Sequence, residues 1–533
     1  MSSGFTLTNN FPSWREIVNA DPSWRDRVEA DEVAASSRSS SVETDEVAAT
    51  GTNLAAHLSL LSLDDSTEDA EELAGTPIFT QAVYEHASSL NTTTSKPFAQ
   101  YGLLAGIIED TSADRKTPTS AANDPRLFFN TSTPSSVFIC GSQGSGKSHT
   151  LSCLLENCLT RSKANVLPHP LTGIVFHYDP WVSASGGSPC EAAYLASAED
   201  ISVRVLCAPT NIRDIKSIYS KLPNVSVEEL RINQSDLNTK RMMDLMAVSS
   251  IQGGMPLYLH VAQRILRELR TEEQSNGTTF NYREFKRRLM DETLAVGQLQ
   301  PLTQRLETLE SFMVKEQVVS IGKKKALQSQ GKGNNWESKA GQLTIVDLSC
   351  PCHKSNVGLV VALDEAHKYM TDTVESELLT ARLLENIRVQ RHVGIRVIIS
   401  TQEPTISPKL LDLCSVTIVH KFTSPDWMKS LRQHLAGASI APVATDEVIE
   451  NGDGKITNLR PSSKELATEL FHKIVALRRG EALLFCPSAI IGLRTAPIKL
   501  ENHSSLIKLS HGHLKIQVRK RITEDGGRSI LAV

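Results

Sequence analysis

Residues 135–159 read SSVFICGSQGSGKSHTLSCLLENCL, and this stretch decides the fold. SSVFIC is an apolar run of strand length, and HTLSCLLENCL carries apolar residues at helical spacing. Between them GSQGSGKS (141–148) satisfies G-x-x-x-x-G-K-S in full, in the strand–loop–helix context that makes the pattern a phosphate-binding site. Gly141, Gly144 and Gly146 let successive backbone N–H groups curl round phosphates at the helix N-terminus, where the helix dipole also favours anions. Ser142, Gln143, Ser145 and His149 complete the loop. Lys147 is placed for the β- and γ-phosphates of ATP, and Ser148 for Mg2+.

A P-loop needs a second acidic motif, and VALDEAHKYM (361–370) supplies it. GLVVALD is an apolar run ending in an acid, as expected of a buried strand that delivers Asp364 to Mg2+. Glu365, next along at the strand's C-terminal edge, is placed to polarise water for attack on the γ-phosphate.

The letters DEAH also head a box found in a large class of helicases, but the rest of the chain does not fit them. Lys147 and Asp364 stand 217 residues apart, much further than in those helicases, and the chain beyond Asp364 has neither a Ser-Ala-Thr motif nor a Q-x-x-G-R motif. Residues 391–422 instead read RHVGIRVIISTQEPTISPKLLDLCSVTIVHKF. With the long insertion between the phosphate motif and the acidic motif, residues 134–490 resemble the HerA/FtsK superfamily of P-loop ATPases. That superfamily comprises DNA-pumping and translocating motors and their conjugation and secretion relatives. Arg391 with Gly394 matches the family's arginine–glycine element. Ser400-Thr401-Gln402 stands at its Ala-Thr-Gln, with Ser for Ala, and Pro404 comes two residues later. The resemblance implies that Gln402 senses the γ-phosphate within its own subunit. It also implies that Arg391, with Arg388 in reserve, reaches a neighbour's nucleotide in a homo-oligomeric ring, a hexamer, and that double-stranded DNA is a partner.

The strand and helix signals beyond the motifs give an α/β fold: a P-loop NTPase core with a mainly parallel sheet. GIVFHYDP, ISVRVLCAP, QLTIVDLS, GIRVIIST, SVTIVHKF and EALLFCPS read as strands. EAHKYM reads as the start of a helix, and SSKELATELFHKIVAL as a helix opened by a capping box of Ser462 and Glu465. A long, mostly helical insertion is expected at about 210–335 between the two motifs. One connection is unusual: only CPCHKS (350–355) lies between TIVDLS and NVGLVVALD, whereas parallel neighbours need a crossover of about a dozen residues or more. Either these strands are not neighbours, or an element has been lost and turnover with it.

Composition bounds the rest. The chain has 533 residues, 40% of them hydrophobic, and no apolar run long enough to span a membrane. The N-terminus carries no secretory signal pattern, and the nine cysteines are scattered, several within apolar runs, as in a reducing compartment. An intracellular location, cytoplasmic or nuclear, is expected. SCPCH (Cys350, Cys352, His353) is the one local cluster of metal-ligand type and lacks a second pair. The net charge of −4 is split between an acidic stretch, residues 1–95 with sixteen Asp or Glu against four Arg, and a mildly basic remainder. The expected domains are therefore an acidic, low-complexity, largely disordered tail (1–95) that docks an unknown protein partner, the ATPase domain (96–507), and a basic flexible tail (508–533). Three functions remain open: an ATP-driven DNA translocase; a nucleotide-binding regulatory or scaffold protein with weak or no hydrolysis; and a small-molecule kinase, which the insertion and the Thr-Gln motif argue against.

Overall fold

The computed structural model describes residues 72–89, 98–110, 124–178, 188–239, 241–242, 257–294, 296–318, 333–347, 359–370, 374–388, 390, 394–403, 406–434, 463–495 and 504–524. By contacts the chain divides into two units, 1–71 and 72–533, and all described residues belong to the second.

In chain order the first strands are β1 (Ile78–Thr80), β2 (Tyr101–Asp110), β3 (Arg126–Asn130), β4 (Ser136–Cys140), β5 (Asn165–Val166), β6 (Thr172–His177), β7 (Ser202–Cys207) and β8 (Val225–Glu229). After the insertion come β9 (Gln342–Asp347), β10 (Leu359–Leu363), β11 (Ile395–Thr401), β12 (Val416–Val419), β13 (Glu481–Phe485), β14 (Ile490–Thr495), β15 (Ser504–Lys508) and β16 (Leu514–Val518). The helices are α1 (Gln81–Ser89), α2 (Lys147–Leu159), α3 (Ile212–Tyr219), α4 (Leu257–Asn276), α5 (Tyr282–Met290), α6 (Val296–Phe312) and α7 (Lys315–Val318). They continue as α8 (Val374–Arg388), α9 (Pro408–Leu413), α10 (Pro425–His434) and α11 (Ser463–Ala476).

The strands form one sheet in the order β15-β14-β1-β3-β2-β16-β13-β12-β4-β11-β10-β6-β9-β7-β8, with β5 added beside β2. From β12 to β8 every pairing is parallel. From β13 outward the pairing is antiparallel except for β1 with β14. The sheet thus has a parallel half and a mainly antiparallel wing. In the parallel half β11 lies between β4, which leads into the P-loop, and β10, which ends at Asp364. That inserted strand carries Thr401 to the sheet edge beside both motifs and defines the additional-strand form of the P-loop fold.

Both faces of the parallel half are buried, which is why its strands read as continuous apolar runs. Alternation sorts them. Val137 and Ile139 of β4 and Val360 and Ala362 of β10 pack with Leu151, Leu154 and Cys158 of α2 on one face. Phe138, Val361, Leu363 and Ile399 pack with Leu383, Leu410, Leu431 and Ile474 on the other. A separate helical core joins Leu259 and Ile265 of α4, Phe285 of α5 and Leu306 of α6, and it matches the expected insertion. The strand β8, parallel to β7, is an element of that insertion which its sequence, VSVEE, does not announce.

The order β10-β6-β9 resolves the short crossover. TIVDLS and NVGLVVALD are not neighbours, since β6 lies between them. From the end of β9 to the start of β10 the chain must span one strand length and two strand spacings, a straight-line distance of roughly 20 Å. The eleven intervening residues reach well over 30 Å when extended, by roughly 3.3 Å per residue. No lost element is needed. The connection itself, with Cys350, Cys352 and His353, lies outside the described residues.

Three expectations change. The N-terminal acidic stretch was expected to be largely disordered to residue 95, yet β1 and α1 are part of the fold: Phe79 is fully buried, stacked on Phe98 with ring centroids 3.9 Å apart. Residues 508–533 were expected as a flexible basic tail, yet β16 pairs with β13 and β2, and beyond it Arg519 is paired with the buried Glu156 and Arg521 with the half-buried Glu191. EAHKYM does not open an α-helix but a short 3-10 turn, Ala366–Lys368, because Glu365 takes a left-handed conformation at φ 51°. Ser462 of the expected capping box lies outside the described residues, as do residues 1–71.

Candidate active site

The P-loop follows β4 and closes at Gly146, the residue before α2. Gly141 and Gly146 take φ of 151° and 113°. A Cβ at Gly141 would lie 2.7 Å from His420 Cβ and 2.8 Å from Ser145 Oγ, so only glycine fits there. Ser142 donates from both its N–H and its hydroxyl to the Lys421 carbonyl, each at 2.8 Å, which ties the loop to the end of β12. Lys147 is buried, and its Nζ donates to the Ser142 carbonyl at 3.1 Å. Burial lowers the Lys147 pKa, while Glu365 and Asp364 oppose that shift. Gln143 and Gly144 are exposed at the tip. His149 turns its ring to the far side, with Nε2 2.8 Å from the Arg519 carbonyl, so only its backbone can serve a ligand in the loop.

Asp364 stands at the end of β10, 2% exposed, and its Oδ1 has no hydrogen-bond partner. Burial first, then the neighbouring Glu365 and Glu191 carboxylates, push its pKa up to about 7. A buried, unsatisfied carboxylate oxygen is costly unless a cation or donor completes it. Mg2+ would do so, and the hard oxygen donors Asp364 and Ser148 suit that ion. The cradle and the carboxylate thus fit a Mg2+–nucleotide pair.

Glu365 comes next in its left-handed conformation, a strained choice for a non-glycine residue and one often met at functional positions. Its Oε2 accepts from Gln402 Nε2 at 2.7 Å and lies 3.6 Å from His367 Nε2. Gln402 also donates its backbone N–H toward His367 Nδ1 at 3.4 Å. The structure therefore brings Glu365 and Gln402 together across 37 residues of sequence. Arg391 and Pro404 lie outside the described residues; Gly394 takes φ 64°, and Arg388 is exposed at the end of α8.

Two supports were not read from the sequence. His420, fully buried behind the loop, has Nδ1 3.0 Å from the Glu481 carbonyl and Nε2 2.9 Å from Thr150 Oγ1. A carbonyl only accepts, so Nδ1 carries the proton and Nε2 accepts from Thr150. Burial lowers the His420 pKa to about 4, which keeps the ring neutral. A histidine closing the apolar run SVTIV was the available signal. The second support is Glu156 on α2, fully buried, whose carboxylate accepts from Arg519 at 2.7 Å, from the Thr523 hydroxyl at 2.6 Å and from the Thr523 and Ile522 N–H groups. Arg519 also donates to the Cys153 and Leu103 carbonyls, so the chain after β16 clamps the phosphate helix.

Strand order, loop and acidic pair define a P-loop nucleoside triphosphatase fold of the additional-strand class. No protein-family model matches the sequence, and no curated protein matches it either. Solved structures that it is similar to include B204, the DNA-packaging ATPase from Sulfolobus Turreted Icosahedral Virus, at 12% identity over 66% of this chain and 92% of that one, with a TM-score of 0.24. VirB4 of Thermoanaerobacter pseudethanolicus is 10% identical over 78% of this chain and 97% of that one, at a TM-score of 0.34. EssC (ATPases 2 and 3) from Geobacillus thermodenitrificans is 11% identical over 78% of this chain and 44% of that one, at 0.26. Likeness this distant bears no functional weight, which rests on the residues of this chain. Among the described residues no helix is long and apolar enough to cross a membrane.

Proposed function

We propose that this chain binds ATP and hydrolyses it with Mg2+, as a motor domain of the HerA/FtsK type. The observation that carries the reading is the meeting of Lys147, Asp364, Glu365 and Gln402 at the C-terminal edge of β4, β10 and β11, where ligands of open parallel sheets collect. Bound Mg2+–ATP supplies the scissile phosphoanhydride and the metal's positive charge. The chain's own residues do the rest. Gly141 to His149 present backbone N–H groups, Lys147 contributes a fixed positive charge, and Ser148 and Asp364 hold the metal. Glu365 accepts the proton of the attacking water. Gln402 holds the Glu365 carboxylate at 2.7 Å and aims it. Arg391 serves a neighbouring copy in a ring, and double-stranded DNA is the polymer moved.

The same hydrogen bond favours a second reading. A Glu365 carboxylate occupied by Gln402 is a base held in check, as suits a nucleotide-dependent switch or scaffold that binds ATP and turns it over slowly or not at all. One experiment decides. ATP hydrolysis by the purified chain is measured with and without double-stranded DNA over a range of salt, alongside Glu365→Gln, with nucleotide binding followed in parallel. The motor reading expects DNA-stimulated turnover that the variant loses while still binding ATP. Tight binding without turnover in either protein leaves the switch, and no binding overturns both.

A further inference from the structure

The sheet register lines up a row of polar residues on one face beyond the phosphate site. Leu363 pairs with Phe176, which sets Asp364 beside His177, and His177 pairs in turn with Asp347. All three follow the alternation of Ala362, Val175 and Ile345, whose face packs against α2. The 3-10 helix Glu191–Ser197 covers the same face and sets Cys190, fully buried, over the row. The ligand atoms of His177, Cys190 and Asp364 all lie within 4.8 Å of one another, and His177 Nδ1 is 4.0 Å from Asp364 Oδ2. Asp364 Oδ1, buried and without a hydrogen-bond partner, belongs to the same carboxylate.

We propose that His177, Cys190 and Asp364 form a second cation site, for a borderline-soft ion of the Zn2+ type, which shares Asp364 with the phosphate site. One imidazole nitrogen, one thiol sulfur and one carboxylate oxygen are a donor set for zinc and a poor one for magnesium, which avoids sulfur. Tetrahedral bonds of about 2.0–2.3 Å place these donors roughly 3.3–3.5 Å apart, so separations that all lie within 4.8 Å close by at most about 1.5 Å. Three protein ligands leave a fourth position for water. The thiol gives up its proton to bind, a change that burial opposes and the ion drives. The Asp364 carboxylate is common to both sites. An ion held by His177 and Cys190 draws that carboxylate away from the P-loop, so zinc occupancy and Mg2+–ATP turnover exclude each other. This exclusion rests on the proposed role of Asp364 in ATP binding; the site itself does not.

The test is a Co2+ titration of the full chain, with cobalt standing in for zinc. The wild type is expected to develop thiolate-to-cobalt charge-transfer absorption and the intense visible bands of tetrahedral cobalt, both erased by one equivalent of Zn2+. Cys190→Ser removes the charge-transfer band, and His177→Gln weakens binding at least tenfold. The double variant Cys350→Ser/Cys352→Ser, which disarms the other cysteine cluster, leaves both signals intact. X-ray absorption at the zinc edge of the wild-type complex should find one sulfur and the remainder nitrogen or oxygen, a readout independent of how the variants fold. No band at saturating Co2+, or a band lost only with Cys350 and Cys352, overturns the site. In a second arm, Zn2+ lowers wild-type ATP turnover at least tenfold, reversibly with a chelator, and lowers Cys190→Ser turnover less than twofold. A cobalt band with zinc-insensitive turnover overturns the exclusion. A band with no turnover at all counts against the ATPase reading and leaves the cation site standing.

Discussion

The parallel half of the sheet and the antiparallel wing differ in what surrounds their strands. In the parallel half, β4 and β10 are buried at all five positions, because helices cover both faces. Their sequences, SVFIC and LVVAL, are unbroken apolar runs. In the wing, β16 (LKIQV) alternates buried and partly or fully exposed residues, and β3 opens on an exposed arginine. Pairing differs as well. The parallel half sets the two phosphate motifs side by side, whereas the wing joins ends of the chain, with Phe79 beside Ile490. The two regions divide the labour: the parallel half carries the proposed site, and the wing fastens α2 through Arg519 and Glu156.

That division can be broken. Glu365→Gln should reduce ATP turnover by about 10²–10⁴-fold, the usual worth of a positioned base, with little change in the urea midpoint of unfolding. Equal loss of stability would mean that the residue is structural. On the wing side, Arg519→Ala leaves the Glu156 carboxylate buried without its cation. Breaking a buried pair in this way costs about 3–5 kcal/mol, read by urea unfolding. If stability stays within about 0.5 kcal/mol of wild type, the clamp is not what joins the halves.

A pH series sharpens the boundary, because His420 sits between P-loop and wing. Its folded pKa, about 4, lies below the 6.5 of an unfolded histidine. The unfolded chain therefore takes up this proton first as pH falls. Stability from this group is full above pH 6.5 and drains between pH 6.5 and about 4, by about 3 kcal/mol. Subtracting the profile of His420→Gln should isolate that slope; identical profiles would refute it. The smallest effect is expected at the wing surface. Arg126→Ala removes an exposed pair with Asp124, 2.6 Å apart, and should cost less than about 1 kcal/mol, diminishing with salt.

Legibility ran along the same line. Lys147, Ser148, Asp364, Glu365 and Gln402 could be read because each ends or follows an apolar strand of the parallel half. β1 and β16 could not, because each pairs far along the chain, β1 with β14 and β16 with β2, and the residues after β16 reach Glu156 across 363 residues or more. The left-handed turn at Glu365 also carries no local signature.

By itself the sequence determined the P-loop, the acidic strand end and the α/β class, since local pattern and burial on both faces leave marks in adjacent letters. Only the tertiary structure decided that β6 separates β9 from β10, that β16 joins β2 to β13 while the residues after it clamp α2, and that His177 and Cys190 stand beside Asp364. Those are contacts between residues far apart in the chain. Their free energy comes from shared burial and paired charge, which no single stretch of letters contains.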